Sequence, residues 1–181
     1  MKEVRALPIT LSTVERRLVF SGLALISFAI PFSLGNSQFA TGILVNAALI
    51  LSALLLPKKL FIPMIVFPSL GVLSRGLLFG PLTSFLFYFL PIIWIGNLTL
   101  ITVFKKMISR SNYPVAIIIS ALAKFTFLAI CAKIFFGLGI VPSLFLTAMG
   151  INQLITAILG GALSFLVFAF INIDILKGGE K

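Results

Sequence analysis

The sequence predicts an all-α integral membrane protein, a bundle of about six transmembrane helices with N- and C-termini cytoplasmic, and three observations carry that prediction. Of the 181 residues, 60% are hydrophobic and only 10% charged, with a mean hydropathy of +1.23, far outside the range of water-soluble globular domains. Apolar segments of spanning length follow one another with only short polar breaks. The basic residues cluster at the ends of those segments, where membrane topology signals belong. One transmembrane domain over residues 1–181, without linkers, accommodates the whole length.

Met1 to Arg17 is too long and too mixed for the charged leader of a secretory signal, and no small-residue cleavage site follows the first apolar run, so this segment is expected to stay attached. Ser12-Thr13-Val14-Glu15 fits a capping box, in which the Ser hydroxyl and the Glu carboxylate satisfy free backbone amides at a helix start. The first span covers 18–34 with Pro31 near its end, and Gly35 to Gln38 forms a short uncharged loop. The second covers 39–56. After Pro57-Lys58-Lys59 comes a short third span, 60–74, interrupted by Pro63 and Pro68, each of which removes a backbone donor. Arg75 to Pro81 reads as a second outer turn, 82–104 as a fourth span containing Pro91, Lys105 to Asn112 as a basic loop, and 114–136 as the fifth span. The sixth stretch, 141–171, is longer than a ~30 Å hydrocarbon core requires at about 1.5 Å per residue, so it tilts, breaks or begins as a surface turn. Pro142 suits a helix start, and Gly160-Gly161 is a candidate bend.

A net charge of +10 raises nucleic acid as a partner. The positions argue for the lipid bilayer instead. With the N-terminus in the cytoplasm, Arg16, Arg17, Lys58, Lys59, Lys105, Lys106, Arg110, Lys177 and Lys181 all fall on that side, whereas five or seven spans would put Lys177 and Lys181 on the wrong one. No nucleic acid is expected, and a multi-pass protein of the plasma (cytoplasmic) membrane is.

Topology leaves Arg75, Lys124 and Lys133 unused. Lys124 falls near mid-membrane, where a Lys costs about 2.5–3.5 kcal/mol on insertion scales, so it should face protein, water or a bound anion. The four acidic residues, Glu3, Glu15, Asp174 and Glu180, lie at the chain ends, so no span offers Lys124 a carboxylate at its depth; backbone carbonyls, a neutral amine, a lipid headgroup, a partner subunit or an anionic ligand remain. Ser120, Lys124 and Cys131 share one helical stripe. Lys133, near the outer end of its span, is expected to snorkel to the headgroups. For Arg75 a lipid-phosphate contact and a ligand role weigh equally.

Asn46, Asn97, Asn152 and Gln153 are the neutral polar residues inside spans. Each alone is an ordinary packing device worth roughly 1 kcal/mol or less; as a set with Lys124 they read as a pocket. Trp94 and Tyr88 serve either as interface anchors or as its wall. Small residues repeat at i, i+4 in Ala29/Ser33, Ala48/Ser52 and Ala157/Gly161, a pattern of close helix contact. With no His, one Cys and no Asp or Glu deep in a span, the chain lacks the groups for metal hydrolysis or acid–base work, so no enzyme, metal or cofactor is expected. The lone Cys131 cannot form a disulfide within one chain. There is no phosphate-cradling P-loop, so ATP-driven work would need another subunit.

Thr41-Gly42-x-x-Val45-Asn46-Ala47-x-Leu49, then Ser74-Arg75-Gly76, then Pro91 and Gly96-Asn97 resemble, over roughly residues 41 to 101, the substrate-binding (S) components of energy-coupling-factor (ECF) transporters. The resemblance implies about six helices, an outward-facing pocket, a first outer loop acting as lid (Asn36, Ser37 and Gln38 here), and docking on a transmembrane coupling subunit driven by two ATPase subunits. Such components often carry a small-xxx-small pattern on the first helix for docking; here Ala29 and Ser33 match it only late in the span, beside Pro31. The expectation is therefore a membrane subunit that captures a small anionic vitamin or metabolite, with Arg75, Lys124, Asn97, Asn46, Asn152 and Gln153 around the ligand. The competing expectation is a non-transporting scaffold of a cell-shape or redox membrane complex, in which Lys124 faces an acid on a partner helix.

Overall fold

The computed structural model describes residues 11–34, 37–79 and 83–178, with side chains described over 11–34, 37–76 and 85–171. The described chain is helical throughout: α1 (Thr13–Leu34), α2 (Gln38–Leu55), a 3₁₀ turn (Lys58–Leu60), α3 (Ile62–Phe79), α4 (Thr83–Met107), α5 (Tyr113–Gly137), α6 (Leu144–Ala148) and α7 (Ile151–Gly178). Six helical segments are long and apolar enough to cross a membrane, α6 and α7 together making the sixth.

Helix starts and stops follow local chemistry. The capping box is formed: Ser12 N donates to Glu15 Oε2 at 2.8 Å, and Glu15 N donates to Ser12 Oγ at 3.3 Å. α1 therefore begins at Thr13, five residues before the apolar run. Asn112 caps α5 by accepting from Val115 N at 3.1 Å, with Pro114 in the first turn, where its missing N–H has no intrahelical partner to lose. α5 stops in a Schellman motif. Gly139 takes φ +70°, a conformation that costs a residue without Cβ little, and the two closing bonds are Gly139 N to Phe136 O and Ile140 N to Phe135 O, 2.9 Å each.

Three expectations are corrected and one open alternative is decided. Arg75 lies inside α3, which runs to Phe79 rather than ending at Ser74. The long last stretch breaks at Met149-Gly150 into α6 and α7. α7 continues as helix through Gly160-Gly161, so that pair does not interrupt it. The first connection is shorter than a four-residue loop, because Ser37 is the N-cap of α2 and Gln38 its first residue; Asn36 lies outside the described residues.

α2 is the axis of the bundle. It packs most extensively on α7, and α4 packs on α5 and α1 on α3. Eleven of its eighteen residues are buried, whereas α1 leaves Leu18, Leu25, Ile26 and Phe32 exposed. For segments of membrane length, those exposed side chains suit a lipid solvent. The main core joins Leu49, Ile50 and Ala53 of α2 to Met64 of α3, Leu100 and Phe104 of α4 and Ala157 of α7. A second cluster, centred on Phe89, Leu128 and Phe145, fills the end of the bundle where α6 lies.

Candidate functional site

Lys124 stands at the middle of α5 and is only 3% exposed. Its Nζ donates to Asn46 Oδ1 at 2.7 Å and to Asn97 Oδ1 at 2.9 Å. α2, α4 and α5 thus each supply one group at a similar depth, close to the midpoint of each helix. Hydrogen bonds from a charged group are worth ~1.5–3 kcal/mol apiece, so two of them are of the size needed to offset the insertion cost that makes Lys124 conspicuous in the sequence.

Neither asparagine amide is free to turn. Asn97 Nδ2 donates to Ile65 O at 3.0 Å, an atom that only accepts. Asn46 Nδ2 donates to Thr156 Oγ1 at 3.2 Å, and the Thr156 hydroxyl spends its own hydrogen on Asn152 O at 2.7 Å. Both Oδ1 atoms must then point at the amine. Gly42, one turn before Asn46, lets α7 come this close: a Cβ on it would stand 2.9 Å from Thr156 Cγ2.

Beside the Lys124 cluster lies a cavity of about 200 Å³. Lys124, Asn46 and Asn97 form its polar face, and Val45, Val72, Ile93 and Leu128 are among its apolar walls. Pro31 and Pro68 also line it, so two helices present to the cavity the points where proline removes an intrahelical donor. Thr41 and Ser69 contribute hydroxyls whose hydrogens are used on backbone carbonyls, Leu34 O at 3.0 Å and Val66 O at 2.8 Å.

Gln38 and Gln153 line the cavity toward the α6–α7 junction. Gln38 Nε2 donates to Ala148 O at 3.0 Å, and Asn152 Nδ2 donates back to Gln38 Oε1 at 3.0 Å. Gln153 Nε2 donates to the same Ala148 carbonyl at 3.3 Å. The first turn of α2 is thereby tied to the junction on both faces of one side-chain amide.

Of the residues expected to gather around a ligand, Lys124, Asn46, Asn97 and Gln153 share the cavity wall, and Asn152 sits beside it, bonded to Gln38. Arg75 is not on that wall. Its Nη1 donates to Phe32 O at 3.2 Å and Ser33 O at 2.8 Å, carbonyls in the last turn of α1 that have no intrahelical donor. Of the three lid residues, Ser37 caps α2 by accepting from Ala40 N at 3.3 Å and Gln38 holds the junction; Asn36 is not described. Lys133 is exposed, as snorkelling requires, and Tyr88 is 57% exposed, as an anchor would be.

Sequence reasoning missed Thr41, Ser69, Gln38 as a cavity residue, and Thr156. One signal was available for the first: Thr41 and Val45 fall on one face at i and i+4, beside Asn46. Trp94 fits neither sequence reading fully, because it donates from Nε1 to Ser69 Oγ at 2.7 Å and so supports a wall residue from behind. Amine, amide and hydroxyl groups on an otherwise apolar wall are equipment for holding a ligand by hydrogen bonds. Comparisons with known protein families, with curated proteins and with solved structures find no match for this chain.

Proposed function

We propose that the chain is the substrate-capture subunit of an ECF-type ATP-driven importer in the plasma membrane, taking a small anionic vitamin or metabolite from the outer side. The observation that carries this reading is Lys124: a buried amine on a cavity wall, held by two amide oxygens and, among the described residues, by no carboxylate. An anion in the cavity completes the charge balance that the protein itself leaves open. The stretch on which the resemblance rests supports the reading, since Thr41, Gly42, Val45, Asn46 and Asn97 all line that cavity.

The charge distribution orients the proposal. Arg16, Arg17, Lys58, Lys59, Lys105, Lys106 and Arg110 occupy the end of the bundle opposite the α6–α7 junction, and basic ends face the cytoplasm. The Gln38–Asn152 contact then lies on the outer side, where Gln38 lines the cavity. Partners of this subunit are a transmembrane coupling subunit and ATPase subunits. A scaffold in which Lys124 meets an acid on another protein is disfavoured by its 3% exposure and its two partners within the chain.

The test has two steps. Native mass spectrometry of the purified protein is expected to show a bound small acid and, from mild detergent, copurifying coupling and ATPase subunits. Lys124→Met keeps most of the side-chain volume and removes the amine; it is expected to abolish high-affinity uptake of the identified ligand while membrane insertion persists. Uptake unchanged by Lys124→Met would remove Lys124 from the site, and copurification with a peptidoglycan or electron-transfer assembly would replace the transport reading with the scaffold.

A further inference from the structure

We infer, resting on the capture reading above, that the ligand is a small monocarboxylic acid with a compact apolar body, and that its carboxylate sits against Lys124.

A lysine amine carries three donors. Two of those on Lys124 are used on Asn46 and Asn97. Each asparagine has given its oxygen to Lys124 and one N–H elsewhere, which leaves one N–H apiece. The uncommitted donors at this end of the cavity are therefore three, one on Lys124 and one on each asparagine, gathered around one amine. A carboxylate is the acceptor-only group that matches them. The hydroxyl hydrogens of Thr41 and Ser69 are already bonded to backbone carbonyls, so neither competes for the acid.

Away from Lys124, Val45, Val72, Leu86, Ile93 and Leu128 form aliphatic walls, with Thr41, Ser69, Gln38 and Gln153 as the remaining polar lining. A sugar or a nucleoside, polar on every side, would leave hydroxyls unpaired against those aliphatic walls. A phosphate ester brings two charges and three oxygens, and among the described residues the lining includes one amine and no arginine. Size narrows the class further. An apolar cavity of about 150 Å³ takes one benzene, so the 200 Å³ here accommodates a body of about one ring or one branched chain plus the acid.

Thermal stabilisation and equilibrium binding on the full-length protein in detergent, after removal of any copurified molecule, test the inference with benzoate, cyclohexanecarboxylate, benzamide, phthalate and riboflavin. The two monocarboxylates are expected to bind and stabilise, benzamide to bind about 10- to 100-fold more weakly for want of the charge-assisted bond, and phthalate and riboflavin not to bind. Lys124→Met is expected to reduce the benzoate affinity to that of benzamide. Val72→Phe leaves Lys124 and both asparagines in place and fills the cavity, so it should lose benzoate binding while retaining the unfolding temperature of the parent protein.

Equal affinity for benzamide and benzoate would overturn the carboxylate assignment. Binding of riboflavin without benzoate would overturn the size assignment and leave the capture reading standing. Failure of every probe, with no small molecule and no ATPase copurifying, would overturn both. Retention of benzoate affinity in Val72→Phe would place the ligand outside this cavity.

Discussion

Thr156 carries no charge and is not on the cavity wall, yet the position of Lys124 depends on it. Its hydroxyl accepts from Asn46 Nδ2 only because its hydrogen is committed to Asn152 O. Thr156→Val keeps the shape and leaves a buried N–H of Asn46 without an acceptor, which costs about 1–3 kcal/mol. Chemical unfolding in detergent is expected to show a loss of that size, and Thr156→Ser, which keeps the hydroxyl, should recover most of it. If Val and Ser behave alike, the Asn46 amide is oriented by something other than this bond. At this scale the sequence makes some residues legible and hides others. Lys124 stands out because an ammonium in an apolar run violates the local solvent. Thr156 does not, because threonine in an apolar helix commonly bonds its own preceding turn, and its second role needs a neighbour 110 residues away. Arg75 is equally conspicuous, and its work is different: it satisfies the α1 carbonyls of Phe32 and Ser33.

Helix contacts explain why glycine recurs in the spans. At Gly160 of α7 a Cβ would lie 2.6 Å from Ile43 O, 2.8 Å from Asn46 Cβ and 2.9 Å from Ala47 N, so two of the three atoms are α2 backbone. Backbone cannot yield by changing rotamer, and the two helices would have to separate. Gly160→Ala is therefore expected to destabilise the protein by about 1–3 kcal/mol, the usual cost of overpacking. Gly22→Ala on α1 is the control: a Cβ there meets nothing within 4 Å, and the gain in helix propensity should stabilise by about 0.5–1 kcal/mol. Thermal unfolding of both variants in one detergent checks the pair; equal behaviour would show that the α2–α7 approach does not limit stability. Gly160-Gly161 reads in sequence as a bend because glycine weakens a helix. The partner helix gives the actual reason. The break at Met149-Gly150 sits in a stretch that was already too long for one span, so its existence was legible while its place was not.

For the molecule as a whole, the distribution of basic residues predicts its orientation in the bilayer. In a Cys131→Ser background, single cysteines at Lys59→Cys and Arg110→Cys are expected to resist a membrane-impermeant maleimide added to intact cells and to react once the membrane is opened. Lys133→Cys, exposed near the far end of α5, is expected to react from outside. The reverse pattern would invert the molecule and place the α6–α7 junction on the cytoplasmic side. Six membrane-capable helices and a strongly basic chain are enough to frame that experiment, because both properties act through bulk features of the bilayer: the thickness of its hydrocarbon core and the asymmetry of its two faces.

The sequence by itself determined the all-helical class, the number of membrane-capable segments, the capping box at Ser12 and the lack of any Asp or Glu in the apolar run that holds Lys124, because hydrophobicity, capping and charge are local along the chain. Only the tertiary structure decided that Asn46 and Asn97 close on Lys124, that Gln153 shares their cavity, that Arg75 turns to α1, and that Gln38 ties α2 to the α6–α7 junction. Those outcomes depend on how each helix is rotated about its axis and which neighbour it meets. That is settled by non-local packing, by contacts such as Gly160 against Ile43 and Gly42 against Thr156, and an apolar run reads the same whichever face it buries.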